Sequence, residues 1–157
     1  MNHHLIRLHG PVDRSMFEKV EKRLASIPSG SAIVFHIRSN GGQLLFARRI
    51  SRLILGKSGD CETVAVGYGR VDSAAVHVFM SCMYRIAYDE TRFFLHLPVD
   101  TADEQPDDLF QAEEIAYMSR MTGTPGYVMG QLMSQGVTVA PAQAAAVGML
   151  NFPMSKK

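Results

Sequence analysis

The chain of 157 residues has no tryptophan, only two cysteines and no run of five like charges. Each shortage excludes something. Cys61 and Cys82 make a poor disulfide framework and cannot alone complete a zinc site, so neither staples nor a metal is expected. They fit a reducing compartment, where cysteine behaves as a small hydrophobe, and the chain reads as cytoplasmic. Sixteen Lys and Arg against fifteen Asp and Glu leave a net charge of +1. That is too little for a protein that binds nucleic acid by neutralising phosphates. No apolar stretch approaches the roughly 18 residues of a membrane span, and the opening Met-Asn-His-His-Leu-Ile-Arg-Leu-His is too polar for a signal peptide.

What is present is a globular composition, 46% hydrophobic, which argues against disorder. The length predicts one domain over 1–157, able to bury about 70% of its unfolded surface. Ten methionines have two readings, filler for an irregular core or an apolar surface for assembly.

Hydrophobic periodicity sets out the elements. Residues 5–9 read as a strand, broken by Gly10-Pro11. Met16, Phe17, Val20 and Leu24 fall at helical spacing over 14–26, with Asp13 as a candidate cap. Residues 32–37 form a near-continuous apolar run, the pattern of a strand buried on both faces. A helix comes next from Gln43 to Leu55, then a strand over 62–67 and a small-residue helix from about Ser73. Residues 84–87 and 92–95 are short strands. Helices are expected over 107–121 and after Pro125 and Pro141. The alternation predicts an α/β fold with a mainly parallel sheet and right-handed crossovers.

In such sheets ligands bind at the carboxyl ends of strands. Two of those ends carry glycine ahead of a helix. Ser39-Asn40-Gly41-Gly42 is either an ordinary tight turn or a place where backbone N–H groups meet a ligand. Gly67-Tyr68-Gly69-Arg70-Val71-Asp72-Ser73 puts Ser73 at a strand-to-helix junction. There a hydroxyl is either an N-cap or an exposed nucleophile with helix N–H groups behind it; Asp72 is the alternative cap. Among six histidines, His3, His4 and His9 lie on an edge segment, His36 inside a strand and His77 on a helix. His96 differs, because it ends the strand 92–95 and precedes Leu97-Pro98. A serine hydroxyl needs a base, and histidine takes and returns a proton near neutral pH.

Taken together, these segments resemble the proteolytic subunit of Clp protease, ClpP, and the wider superfamily of ClpP and crotonase folds. Ile6-Arg7-Leu8-His9-Gly10-Pro11-Val12 resembles the family's opening strand and turn. Ile37-Arg38-Ser39-Asn40-Gly41-Gly42 is similar to its Asn-Ser-Pro-Gly-Gly segment. Val66 to Ala74 falls where its nucleophile segment lies, and Arg92 to Pro98 is similar to the segment carrying its histidine. Thr122-Gly123, Ala140 to Ala144 and Gly148 to Asn151 resemble its C-terminal landmarks.

The resemblance implies repeated β-β-α layers and C-terminal helices. It also implies a serine endopeptidase acting through an acyl-enzyme on Ser73 with His96 as general base. Gly41 and Ala74 would present N–H groups to the oxyanion, Gly42 would bind substrate, and no cofactor would be needed. The implied partners are a peptide or unfolded protein as substrate, further copies of the chain in a homo-oligomer or ring, and an ATP-dependent unfoldase.

Departures qualify that expectation. The family's acidic third residue falls on Leu132, which cannot orient an imidazole. Ser134, Gln135 or an acid between Asp100 and Asp108 are the substitutes, with Asp72 a less natural one. Asn40 and Ala75 replace family residues. The segment that lines the family's axial pore is not expected ahead of the first strand, and the handle region, about 99–121, is short. The alternatives are therefore a weakened homologue with a structural or regulatory role and, more remotely, a crotonase-type enzyme acting on an acyl-CoA thioester.

Overall fold

A computed structural model describes residues 1–98 and 108–151. The strands are β1 (His3–His9), β2 (Ala32–Ser39), β3 (Glu62–Asp72), β4 (Tyr84–Ala87), β5 (Arg92–Leu95) and β6 (Val137–Val139). The helices are α1 (Arg14–Ala25), α2 (Leu44–Lys57), α3 (Ala74–Met80), α4 (Asp108–Thr122), α5 (Gly126–Gln135) and α6 (Pro141–Ala146). The sheet runs β1-β2-β3-β5-β6, with β4 also paired to β3. Among the described residues every pairing of these strands is parallel except β5 with β6. The α/β fold with a mostly parallel sheet is therefore as the sequence implies.

Local chemistry accounts for most boundaries. Asp13 caps α1, its carboxylate accepting the Met16 N–H at 2.9 Å, which satisfies one of the donors a helix start leaves open. Pro141 opens α6, where its missing N–H costs nothing. The strand β6 goes beyond the sequence reading. It is three residues long, too short for period-two alternation to register.

β3 is longer than expected because it serves two partners. Val64 to Gly67 pair with β4 and Arg70 to Asp72 with β5. The register with β2 shifts between Ile37 and Ser39, and an irregularity of this kind bends a strand and re-aims the residues beyond it. On β3 those residues lead directly into Ser73.

The core lies on one face of the sheet. Ile6, Leu8, Ile33, Phe35, Ile37, Ala65 and Phe93 pack with Val20, Leu24, Ile50 and Ile54 of α1 and α2 and with Phe79 of α3. The expectation that β2 is buried on both faces is corrected. Val34 and His36 are only half-buried and Arg38 is exposed, because no helix among the described residues covers that side. The methionines mostly fill the core: Met16, Met80, Met118, Met129, Met133 and Met149 are all buried. Cys61 and Cys82 are free and buried, and burial pushes the Cys82 thiol pKa up. Among the described residues no helix is long and apolar enough to cross a membrane.

Candidate active site

Ser73 stands at the N-cap of α3 but makes no capping bond with its side chain. The capping alternative is thus corrected. The reason is its backbone, with φ 57° and ψ −119°, the one positive φ outside glycine among the described residues. Caps are normally extended. A side-chain-bearing residue in this region is strained by about 1–3 kcal/mol, and such strain concentrates at functional sites. Its backbone is pinned at both ends. The Ser73 N–H donates to Phe94 O at 2.9 Å, and its carbonyl accepts the Val76 N–H at 2.9 Å.

Gly41 packs against this turn. A Cβ there would lie 2.8 Å from Asp72 O and 3.0 Å from Ser73 Cβ, so only glycine permits the approach. The Gly41 N–H, expected as an oxyanion donor, instead donates to the buried Ser39 Oγ at 3.1 Å. Gly42 bridges Val12 in parallel. The bonds run from Val12 N–H to Gly41 O and from Gln43 N–H to Val12 O, so the N–H and C=O of Gly42 face away from Val12. A Cβ on Gly42 would overlap the Val12 backbone.

His96 comes just after β5, two residues beyond Phe94, and their rings stack obliquely at 5.0 Å. Its Nδ1 lies 2.5 Å from Leu97 O. A carbonyl only accepts, so Nδ1 carries the proton and Nε2 keeps the lone pair that a base requires. No hydrogen bond between Ser73 and His96 is formed among the described residues. Both belong to the carboxyl ends of neighbouring strands, β3 and β5.

The α5–β6 corner abuts the histidine. Leu97 N–H donates to Met133 O at 3.0 Å, and Leu95 pairs with Val137. Extending that antiparallel register brings Gly136 and Gln135 toward His96, a few residues on from Leu132. Leu132 itself is half-buried on α5. The Ser134 hydroxyl is turned back onto Gly130 O at 2.7 Å, which removes it as a substitute. The acids Asp100, Asp103, Glu104 and Asp107 lie outside the described residues, as does the side chain of Asp108.

Asp72 is buried, with 8% of its surface exposed. Arg70 Nε donates to its Oδ2 at 3.0 Å. A cleft of about 500 Å³ opens nearby, lined in part by Arg38, Ser39, Asn40 and Arg70. His36 and His77 are placed elsewhere. His36 shares a 2.8 Å hydrogen bond with His9, and His77 is paired with Glu114.

The Clp protease family model matches residues 1–125, about four-fifths of the chain. The chain belongs to the Clp protease family. Among solved structures it is similar to ClpP1 from Listeria monocytogenes, with a TM-score of 0.84 at 20% identity over 98% of this chain and 92% of that one. It is equally similar to the N165D mutant of the Listeria ClpP1, again with a TM-score of 0.84 and 20% identity, over 94% and 88%. At that identity the likeness concerns the fold. No curated protein matches the chain. Family membership makes the chain a ClpP-like peptidase at family level. Sequence reasoning alone did not reach the Ser39–Gly41 bond or the Leu97 carbonyl, since both depend on the turn geometry at strand ends.

Proposed function

We propose that this chain is a serine endopeptidase of the ClpP type, with Ser73 as nucleophile and His96 as general base. The observation that carries the reading is the strained, uncapped Ser73 at the β3–α3 junction, held beside Gly41 and one strand from His96. Ser73 Oγ attacks the peptide carbonyl and its proton passes to His96 Nε2. The resulting acyl-enzyme is then hydrolysed by water, with His96 acting in reverse.

The oxyanion forms against backbone N–H groups. Ala74, first residue of α3, supplies one. Gly41 has its N–H engaged by Ser39, so the second donor is assigned to the outward N–H of Gly42. Each such donor is worth about 10²–10³ in rate. The substrate lies extended along Gly42, using backbone hydrogen bonds that tolerate varied sequence.

The half-apolar open face of the sheet, with Val34, Val66, Tyr68 and Phe94, supports association with further copies of the chain. Parallel sheets are otherwise covered on both faces. An unfoldase partner, a cytoplasmic location and one domain over 1–157 go with this reading.

A second reading is favoured by one observation: the Ser73–His96 hydrogen bond is not formed among the described residues. On that reading the chain is a weakened homologue with a structural role. Peptide hydrolysis by the pure protein discriminates. Turnover of a fluorogenic peptide that His96→Ala abolishes supports the peptidase, and no turnover above buffer supports the structural role.

A further inference from the structure

We propose that Asp72 is the carboxylate that serves His96, in place of the acid lacking at the end of α5; this rests on the Ser73–His96 reading above. Asp72 and Phe94 are register partners on adjacent parallel strands. Phe94 and His96 share a face of the sheet and their rings touch at 5.0 Å. The imidazole is therefore folded over the residue that Asp72 faces directly. His96 is thus the diagonal neighbour of Asp72 on the same face of the parallel β3–β5 pair.

The carboxylate has an unused oxygen. Oδ2 is held by Arg70, while Oδ1 is buried with no hydrogen-bond partner among the described residues. A buried acceptor left without a hydrogen bond is costly, more so when charged, so it calls for a role. His96 has the complementary need. Among the described residues its Nδ1–H meets the Leu97 carbonyl, a neutral acceptor that fixes the tautomer but does little for an imidazolium. The corner beside it offers Leu132, Gln135 and Gly136, none of which carries a charge.

Rotation of the imidazole transfers its Nδ1–H from Leu97 O to Asp72 Oδ1. When Ser73 Oγ attacks, its proton moves to Nε2 and Nδ1 keeps its own. Asp72 balances the imidazolium without taking a proton, and Nε2 then protonates the leaving amine. Asp72 is thus a positioning residue. The other charged groups on this face are Arg38 of β2, Arg70 of β3 and Arg92 of β5, and Glu90 lines the same cleft as Arg38 and Arg70. Arg70 opposes Asp72 by drawing off part of its charge.

The test is the pH profile of inactivation by a fluorophosphonate, measured on the full chain and on Asp72→Asn, Arg70→Gln and Asp100→Asn. A carboxylate raises the pKa of a neighbouring imidazole and a cation lowers it. Asp72→Asn is expected to slow labelling at least 100-fold and to lower the midpoint of the profile. Arg70→Gln is expected to raise the midpoint. A labelling rate for Asp72→Asn within threefold of the parent with an unchanged midpoint overturns the proposal, as does a shift produced by Asp100→Asn instead. If Asp72→Asn does not fold, Arg70→Gln decides, and an unmoved midpoint there overturns it. Absence of labelling in the parent chain defeats the Ser73–His96 reading itself, a separate result.

Discussion

Ser73 donates its backbone N–H to the carbonyl of Phe94 at 2.9 Å. That bond closes the last rung between β3 and β5 and sets the nucleophile candidate two residues back from His96. It also holds Ser73 at φ 57°, where glycine alone is at ease.

Strain of that kind is measurable. Ser73→Gly is expected to raise stability by about 1 kcal/mol, a few degrees in a chain of this size, while Ser73→Ala gives no such gain. Thermal melts of the two variants check this. A destabilised Ser73→Gly would mean that the turn is not strained.

Gly42 tests the strand beside the site. A Cβ there overlaps the Val12 backbone, and such overpacking typically costs about 1–3 kcal/mol. Gly42→Ala is expected to lower the urea midpoint accordingly and to weaken peptide turnover. Gly56→Ala, where a Cβ meets nothing within 4 Å, serves as the control and keeps the parent's midpoint.

Stability should fall in acid through Glu114. This residue of α4 accepts Arg48 at 2.9 Å and 3.0 Å on one oxygen and His77 at 2.9 Å on the other. Burial alone would raise its pKa, but the hydrogen bonds and charges of His77 and Arg48 outweigh burial and hold it below the ordinary value of 4.5. A depressed folded-state pKa gives stability that is present above 4.5 and lost as pH falls through the folded value. Glu114→Gln is expected to be less stable than the parent at pH 7, with the gap closing below pH 4.5 in chemical denaturation. A gap independent of pH would contradict the charge pairing.

Cys82 offers a check on the core. It is buried, and burial pushes its thiol well above the usual range, so little thiolate forms. Thiol reagents are expected to leave both cysteines unmodified in the native state and to label both in denaturant, as read by intact mass.

Much of this was legible in the sequence. The order of strands and helices, β6 apart, comes from periodicity and from Gly and Pro punctuation, because those residues fix local geometry. The placement of Ser73 and His96 just past strand ends was legible too. What escaped depends on non-local register. β6 exists because Val137 to Val139 find β5, and three residues carry no period of their own. The open face of β2 could not be read from an apolar run, since Val34 and Val64 look the same in sequence whether covered or bare. The bond from the Gly41 N–H to Ser39 Oγ is the local exception, decided by the turn geometry rather than by composition.

The proposed chemistry requires an activated serine at position 73. Intact-mass spectrometry after treatment with a fluorophosphonate tests it most directly. One adduct per chain is expected in the parent protein, mapped to Ser73, and none in a folded Ser73→Ala variant. Equal labelling of the two, or no labelling of either, would contradict it.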